Sequence, residues 1–67
     1  MFAEKLKQLR KIKGVTQKQV SIGTGLSERQ YQEYEYGKVK PSFDALIALA
    51  DYFDVSLDYL MGRTDQY

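Results

Sequence analysis

Sixty-seven residues at a net charge of +1, with no cysteine, histidine or tryptophan, bound the chain to one small domain. Lacking Cys and His, it has no disulfide framework, no catalytic thiol and no Cys/His zinc site, and a chain that buries only about 60% of its unfolded surface has little room for an enclosed active-site cavity beside its core. At 43% hydrophobic and 28% charged residues it is too apolar for a disordered tail.

The pattern is helical throughout, in five short segments. In the first, Phe2, Leu6, Leu9 and Ile12 recur at spacings of four, three and three, one face of a helix. Lys5, Lys7, Lys11 and Lys13 take its other faces, and Gly14 is the stop. The second opens at Thr16, with Gln19 three residues on, a capping-box spacing. Val20 is its apolar anchor, and it ends at Gly23-Thr24-Gly25, because Gly disfavours a helix interior and Gly25 can take a positive φ. The third opens at Ser27, again with a Gln three residues on, puts Tyr31 and Tyr34 on one face, and ends at Gly37. The fourth follows Pro41, with Ser42 as N-cap, Asp44 in the first turn, and a wide stripe of Phe43, Leu46, Ile47, Leu49, Ala50 and Phe53. The fifth runs from Ser56 through Leu57 and Leu60 to Gly62. No segment alternates with period two, so the expectation is an all-α domain of five helices spanning residues 1–67. No apolar run approaches the roughly 18–20 residues of a membrane span. The charged start Met1-Phe2-Ala3-Glu4-Lys5-Leu6-Lys7 lacks an export signal's apolar stretch, so the expected compartment is the cytoplasm.

The second and third helices, joined by a tight Gly-containing turn, have the make-up of a helix-turn-helix. Ser21 and Gly25 are small where the helices cross, and Val20, Leu26, Tyr31 and Tyr34 knit the pair to the core. Glu28, Arg29, Gln32 and Glu33 lie on the outward side of the third helix, with 28/32 and 29/33 on adjacent turns, long enough to reach base edges in a major groove. The charge is unevenly divided: residues 1–40 carry nine Lys/Arg against four Glu, and residues 41–67 carry one Arg against five Asp. That split gives a basic half suited to a polyanion and an acidic far side.

The stretches Leu6-Lys7-Gln8-Leu9-Arg10-Lys11-Ile12-Lys13-Gly14-Val15-Thr16-Gln17, Gly25-Leu26-Ser27, Tyr34-Glu35-Tyr36-Gly37-Lys38, Pro41-Ser42-Phe43-Asp44-Ala45-Leu46 and the run from Leu49-Ala50-Asp51-Tyr52 to Leu60-Met61-Gly62 carry a resemblance to a known family. The chain resembles the lambda-repressor-like (Cro-type, XRE) helix-turn-helix domains over about residues 2–63. The resemblance implies a five-helix domain with its motif at about 17–36, binding operator DNA as a homodimer. It implies that Glu28, Arg29 and Glu33 face bases and that Gln17 reaches a phosphate while buttressing the third helix. Tyr36, Lys38 and Lys40 fall where the family touches the sugar-phosphate backbone. Arg10 and Glu35 resemble a recurrent ion pair between the first and third helices. The sequence differs from the family pattern at Ser21, usually Ala; at Gly23, where a good helix former is usual; at Tyr31, bulkier than Ile or Val; and at Glu28 and Glu33, acids on the groove-facing side.

The expected function is that of a small sequence-specific regulator of transcription, a repressor acting by occupancy, cytoplasmic and nucleoid-associated in a bacterium or phage. Arg29, Gln32 and, with them, Glu28 and Glu33 would read bases, while Thr16, Gln17, Ser27, Tyr36, Lys38 and Lys40 would fix register on phosphates. Two copies would engage half-sites about 34 Å apart in a roughly palindromic operator. The expected dimer surface is Tyr52, Leu57, Tyr59, Leu60 and Met61, with Tyr52 and Tyr59 exposed on the acidic half; the competing reading is that these residues close the core. For Arg29 the competing reading is an ion pair with Glu33, and for Lys38 and Lys40 it is solubility. The rival function is a protein-interaction module on the same fold, with Glu28 and Glu33 adapting it to a partner such as a toxin. No catalytic constellation, metal site or cofactor motif is expected.

Overall fold

The computed structural model describes residues 2–66. Among them are five helices and no strand: α1 (Phe2–Lys13), α2 (Gln17–Thr24), α3 (Glu28–Glu35), α4 (Phe43–Phe53) and α5 (Leu57–Leu60). None of these helices is long and apolar enough to cross a membrane.

Each of the last four helices starts on a hydroxyl residue in extended backbone. The Oγ atoms of Thr16, Ser27, Ser42 and Ser56 accept from the backbone N–H three residues on, satisfying a donor that the first helical turn leaves without a partner. At α2 the capping box is complete: Gln19 N donates to Thr16 Oγ1 at 3.1 Å, and Thr16 N donates to Gln19 Oε1 at 2.8 Å. At α3 the reciprocal half is missing, because the Gln30 amide donates instead to Tyr34 Oη at 3.1 Å. α4 ends without glycine: Asp54 takes the left-handed conformation (φ 56°, ψ 48°), a backbone that Asp tolerates better than most L residues.

The core is Leu6, Leu9, Val20, Tyr31, Tyr34, Ala45, Leu49, Ala50, Phe53, Tyr59 and Leu60. α1 lies against α3, α4 and α5, α2 lies against α3 and α4, and α5 closes on α4 and α1. Three apolar residues expected inside are outside: Ile12, Phe43 and Ile47 are 75%, 67% and 37% exposed. Helical rotation explains this. At about 100° per residue, Ile12 stands about 120° round the helix from Leu6 and about 80° from Phe2. In α4 the buried stripe is centred on Leu49 and Phe53 and takes in the small Ala45, which leaves Phe43 and Ile47 on its flank.

The expected dimer surface is corrected in the same way. Leu60 has no accessible surface and Tyr59 is only 9% exposed, while Tyr52 and Leu57 are half-buried against the core; Met61 alone of the five is exposed. α5 is a single turn that seals the α1–α4 interface, so its apolar side is consumed within the chain. The Tyr59 ring carries Lys5 Nζ 4.3 Å from its centroid.

Gly23 also has a role that composition alone concealed. The Tyr52 ring lies on its backbone so closely that a Cβ there would stand 2.6 Å from Tyr52 Cδ1. Gly23 lies in the last turn of α2, and its missing Cβ leaves the room that the Tyr52 ring of α4 occupies.

Candidate nucleic-acid interface

The α2–α3 pair turns on Gly25, at φ 77°, whose N–H bonds back to Ser21 O at 3.0 Å. Ser21, buried where the two helices meet, satisfies its hydroxyl by donating to Lys18 O at 2.8 Å. Thr24 donates to Val20 O at 2.8 Å and accepts from Leu26 N at 3.4 Å, tying the turn to the end of α2. Leu26 then packs on the core and Ser27 starts α3.

α3 is sharply two-sided. Tyr31, Tyr34 and Glu35 are buried, Glu28, Arg29 and Gln30 are exposed, and Gln32 and Glu33 are half-buried along the edges. Eight residues give a ridge about 12 Å long, comparable to the width of a DNA major groove. Thr16, Ser27, Tyr36, Lys38 and Lys40 are exposed around this ridge, and Gln17 is half-buried at the start of α2. The alternative Arg29–Glu33 ion pair is not formed; among the described residues, Glu28, Arg29, Glu33, Lys38 and Lys40 make no ion pair.

A polar chain runs from α1 through the inner side of the motif to the edge of that ridge. Arg10 grips Glu35 with two bonds, Nε to Oε2 at 2.7 Å and Nη2 to Oε1 at 3.1 Å, and also donates through Nη1 to Val15 O at 3.3 Å. Gln17 Nε2 donates to Glu35 Oε1 at 3.1 Å, and Gln32 Nε2 donates to Gln17 Oε1 at 3.2 Å. Glu35 is 1% exposed, so its charge is compensated by donors rather than water. Burial pushes its carboxyl up, but the Arg10 guanidinium, with the Tyr31 hydroxyl and the Gln17 amide, more than offsets this and holds it below the usual carboxylate range. The bonds to Glu35 outweigh partial burial in raising the Arg10 pKa. The Tyr31 hydroxyl is buried close to both charges, yet among the described residues no hydrogen bond of good geometry reaches it; burial first, and the neighbouring Glu35 carboxylate second, push it well above the usual phenol range.

The Arg10–Glu35 pair implied by the family resemblance is therefore present and couples α1 to α3. The Gln32–Gln17 bond had no signal in the sequence beyond two polar residues of matching length on neighbouring helices.

Two short helices packed through a glycine turn, with one polar ridge outward and a charged clasp behind, define a helix-turn-helix domain. Residues 6–60 match the helix-turn-helix family HTH_3, and the chain belongs to that family. It is 40% identical over 65 residues to the uncharacterized HTH-type transcriptional regulator YobD of Bacillus subtilis (strain 168), covering 97% of this chain and 58% of that protein. It is 37% identical over 60 residues to the cryptic phage CTXphi transcriptional repressor RstR of Vibrio cholerae serotype O1 (strain ATCC 39315 / El Tor Inaba N16961), covering 90% of this chain and 54% of RstR. The chain thus spans a little over half the length of these relatives. Among solved structures, the DNA-binding domain of the P22 C2 repressor superposes with a TM-score of 0.89 at 24% identity, over 100% of this chain and 87% of that one, a likeness of fold. A transcriptional regulator from Listeria innocua superposes with a TM-score of 0.85 at 34% identity, over 100% of this chain and 63% of that one.

Proposed function

We propose that this chain is a sequence-specific double-stranded DNA-binding regulator of transcription, a repressor that works by occupying its operator. The single observation that carries the reading is the two-sided α3, whose exposed Glu28 and Arg29 project from a helix fixed on its other side by Tyr31, Tyr34 and Glu35. Membership of the helix-turn-helix family and similarity to a named phage repressor support it. Arg29 reads a guanine through O6 and N7; Glu28 and Glu33 accept from cytosine N4 or reject other bases. Lys38 and Lys40 hold phosphates, and Thr16, Gln17, Ser27 and Tyr36 set the register.

The protein binds as a homodimer on a roughly palindromic operator. With Tyr59 and Leu60 inside, the surface for the partner copy is the open groove of about 540 Å³ whose lining includes Phe2, Val39, Pro41, Leu46 and Met61. Sedimentation of the free and operator-bound protein tests this: a monomer in both states removes the dimer.

Selection from a random duplex pool tests the function. An inverted repeat should be enriched, and Arg29→Ala should erase the preference at one base pair in each half, costing about 1–3 kcal/mol per half-site. Affinity should fall steeply with salt as counterions rebind the released phosphates. Absence of enrichment together with salt-insensitive capture of a protein partner would favour the interaction-module reading.

A further inference from the structure

We infer that the outward side of α2 docks on the outward side of α4 of a second copy, so that protein on one operator recruits a copy to the next. The inference rests on the DNA-binding reading above and uses no residue assigned there to DNA or to the dimer groove.

The two surfaces are opposite in charge, and each holds apolar side chains in water. Between Glu4 and Glu28 the chain carries six Lys/Arg and no acid; between Lys40 and Arg63 it carries four Asp and no Lys/Arg. Within the first stretch, Lys18 and Ile22 stand one turn apart on the side of α2 turned away from the buried Val20 and Ser21, and Ile22 is 73% exposed. Within the second, Phe43, Ile47 and Asp51 follow at intervals of four on the flank of α4 that Ala45, Leu49 and Phe53 leave uncovered; Phe43 and Ile47 are 67% and 37% exposed. Among the described residues, neither Lys18 nor Asp51 makes an ion pair.

The spacings match in one direction. Four residues rise about 6 Å along either helix. With α2 antiparallel to α4 of the second copy, Ile22 meets Ile47 while Lys18 meets Asp51, and Phe43 falls past the end of α2 at the Gly25 turn, which has no side chain to obstruct it. With the helices parallel and the isoleucines in contact, Lys18 would fall on Phe43 and Asp51 would lie beyond α2. The partner is a second copy because one chain carries both complementary faces. Since the faces differ, the contact runs head to tail and leaves the same two faces free at the ends of a row. So few side chains bury much less than the roughly 1,200–2,000 Å² of a stable interface, so the contact is weak in dilute protein. Neighbouring operators supply what it lacks, an effective concentration of about millimolar.

The test uses the duplex selected by the unaltered protein, once alone and once as two tandem copies with spacers stepped through one helical turn. At the best spacer, filling one operator should raise affinity for the other about tenfold. This gain is a ratio to the single operator, so a change in general DNA affinity divides out. Lys18→Glu and Asp51→Lys should each cut the gain to about twofold or less. Each puts its new charge at the helix end whose dipole favours it, so the fold is kept. Both substitutions in one chain exchange the charges across the contact and should restore about fivefold or more. In free protein at about millimolar concentration, where weak contacts populate, backbone amide resonances of α2 and of α4 should shift together with concentration. They should do so in the parent and the exchanged pair and not in the single variants. The inference is overturned if no spacer gives a gain, or if the exchanged pair recovers none. Shifts on α2 without shifts on α4 would assign α2 to a different surface and overturn it equally. If the unaltered protein selects no duplex, the DNA-binding reading falls, and the resonance measurement alone decides whether copies dock.

Discussion

The α2–α3 pair is held from two sides by opposite chemistries. On the α1 side the clasp is polar: Arg10, Glu35, Gln17 and Gln32 bond in series at 2.7–3.2 Å. On the α4 side it is a contact seam, in which Tyr52 lies on Gly23 and meets Phe53 edge-on at 5.1 Å between centroids. A hydrogen-bonded series is directional, so it fixes how α3 is rotated and where its ridge points. An apolar seam is non-directional and fixes mainly how close the helices stand. The two should therefore fail differently, and that difference can be measured.

The largest effect is expected at the polar clasp. Glu35→Ala strips the partner from a guanidinium whose side chain is only 22% exposed, which should cost about 3–5 kcal/mol in urea unfolding followed by circular dichroism. Replacing both charges by apolar residues, as in Arg10→Met with Glu35→Leu, should recover at least half of that loss, because neither charge is then left buried alone. If the double variant is as unstable as the single, directionality rather than charge compensation holds this side together.

The contact seam should respond less, and with a change of sign. Gly23→Ala forces the Tyr52 ring away, an overpacking cost of about 1–3 kcal/mol. In a Tyr52→Ala background the ring that blocks the Cβ is gone, and the same substitution should stabilise by up to about 1 kcal/mol, the helix-propensity gain of Ala over Gly. Persistence of the loss without Tyr52 would show that the seam is not what Gly23 serves.

These two sides also differ in how far the sequence reveals them. The helix starts are legible because a cap is local: a Ser or Thr oxygen reaches an amide three residues away, and Thr16, Ser27, Ser42 and Ser56 all do so. The inner face of α3 is legible from the Tyr31/Tyr34 spacing. Burial at the ends of α1 and α4 is not, since Ile12 and Phe43 fit a periodic stripe and still lie beyond their neighbours' reach. Gly23 reads as a weakness until α4 is in place, and Tyr59 and Leu60 read as surface until α5 folds back. The Asp54 stop has no glycine to announce it. At the site, Glu28 and Arg29 follow from helical phase, Arg10–Glu35 came through family resemblance, and Gln32–Gln17 depends on packing between two helices that no spacing rule encodes.

Acid gives a reversible and smaller perturbation of the clasp alone. The Glu35 carboxyl lies below its ordinary range in the folded chain, so its contribution is complete above the unfolded glutamate pKa and is lost as pH falls through the folded one. Stability should be level from neutral pH to about 5 and then decline. In Glu35→Gln the part of that decline belonging to this group should disappear, whereas Gly23→Ala should leave it unchanged. An identical acid limb in Glu35→Gln would place the titrating group elsewhere.

The smallest effect asks whether the contact seam has any electrostatic component. Lys13 Nζ stands 5.3 Å from the centroid of the Tyr52 ring, a cation–π arrangement, but Lys13 itself is exposed. At an exposed site such a pair contributes about 0.5–1 kcal/mol at most, and the aliphatic stem covers the ring whether or not a charge sits at its end. Lys13→Met keeps the stem and removes the charge, so its unfolding free energy should lie within about 0.5 kcal/mol of the parent's. Salt should not change the gap between them. A loss above 1 kcal/mol that closes in concentrated salt would mean that Tyr52 is held on Gly23 by charge, and the contrast between a directional clasp and a contact seam would no longer hold.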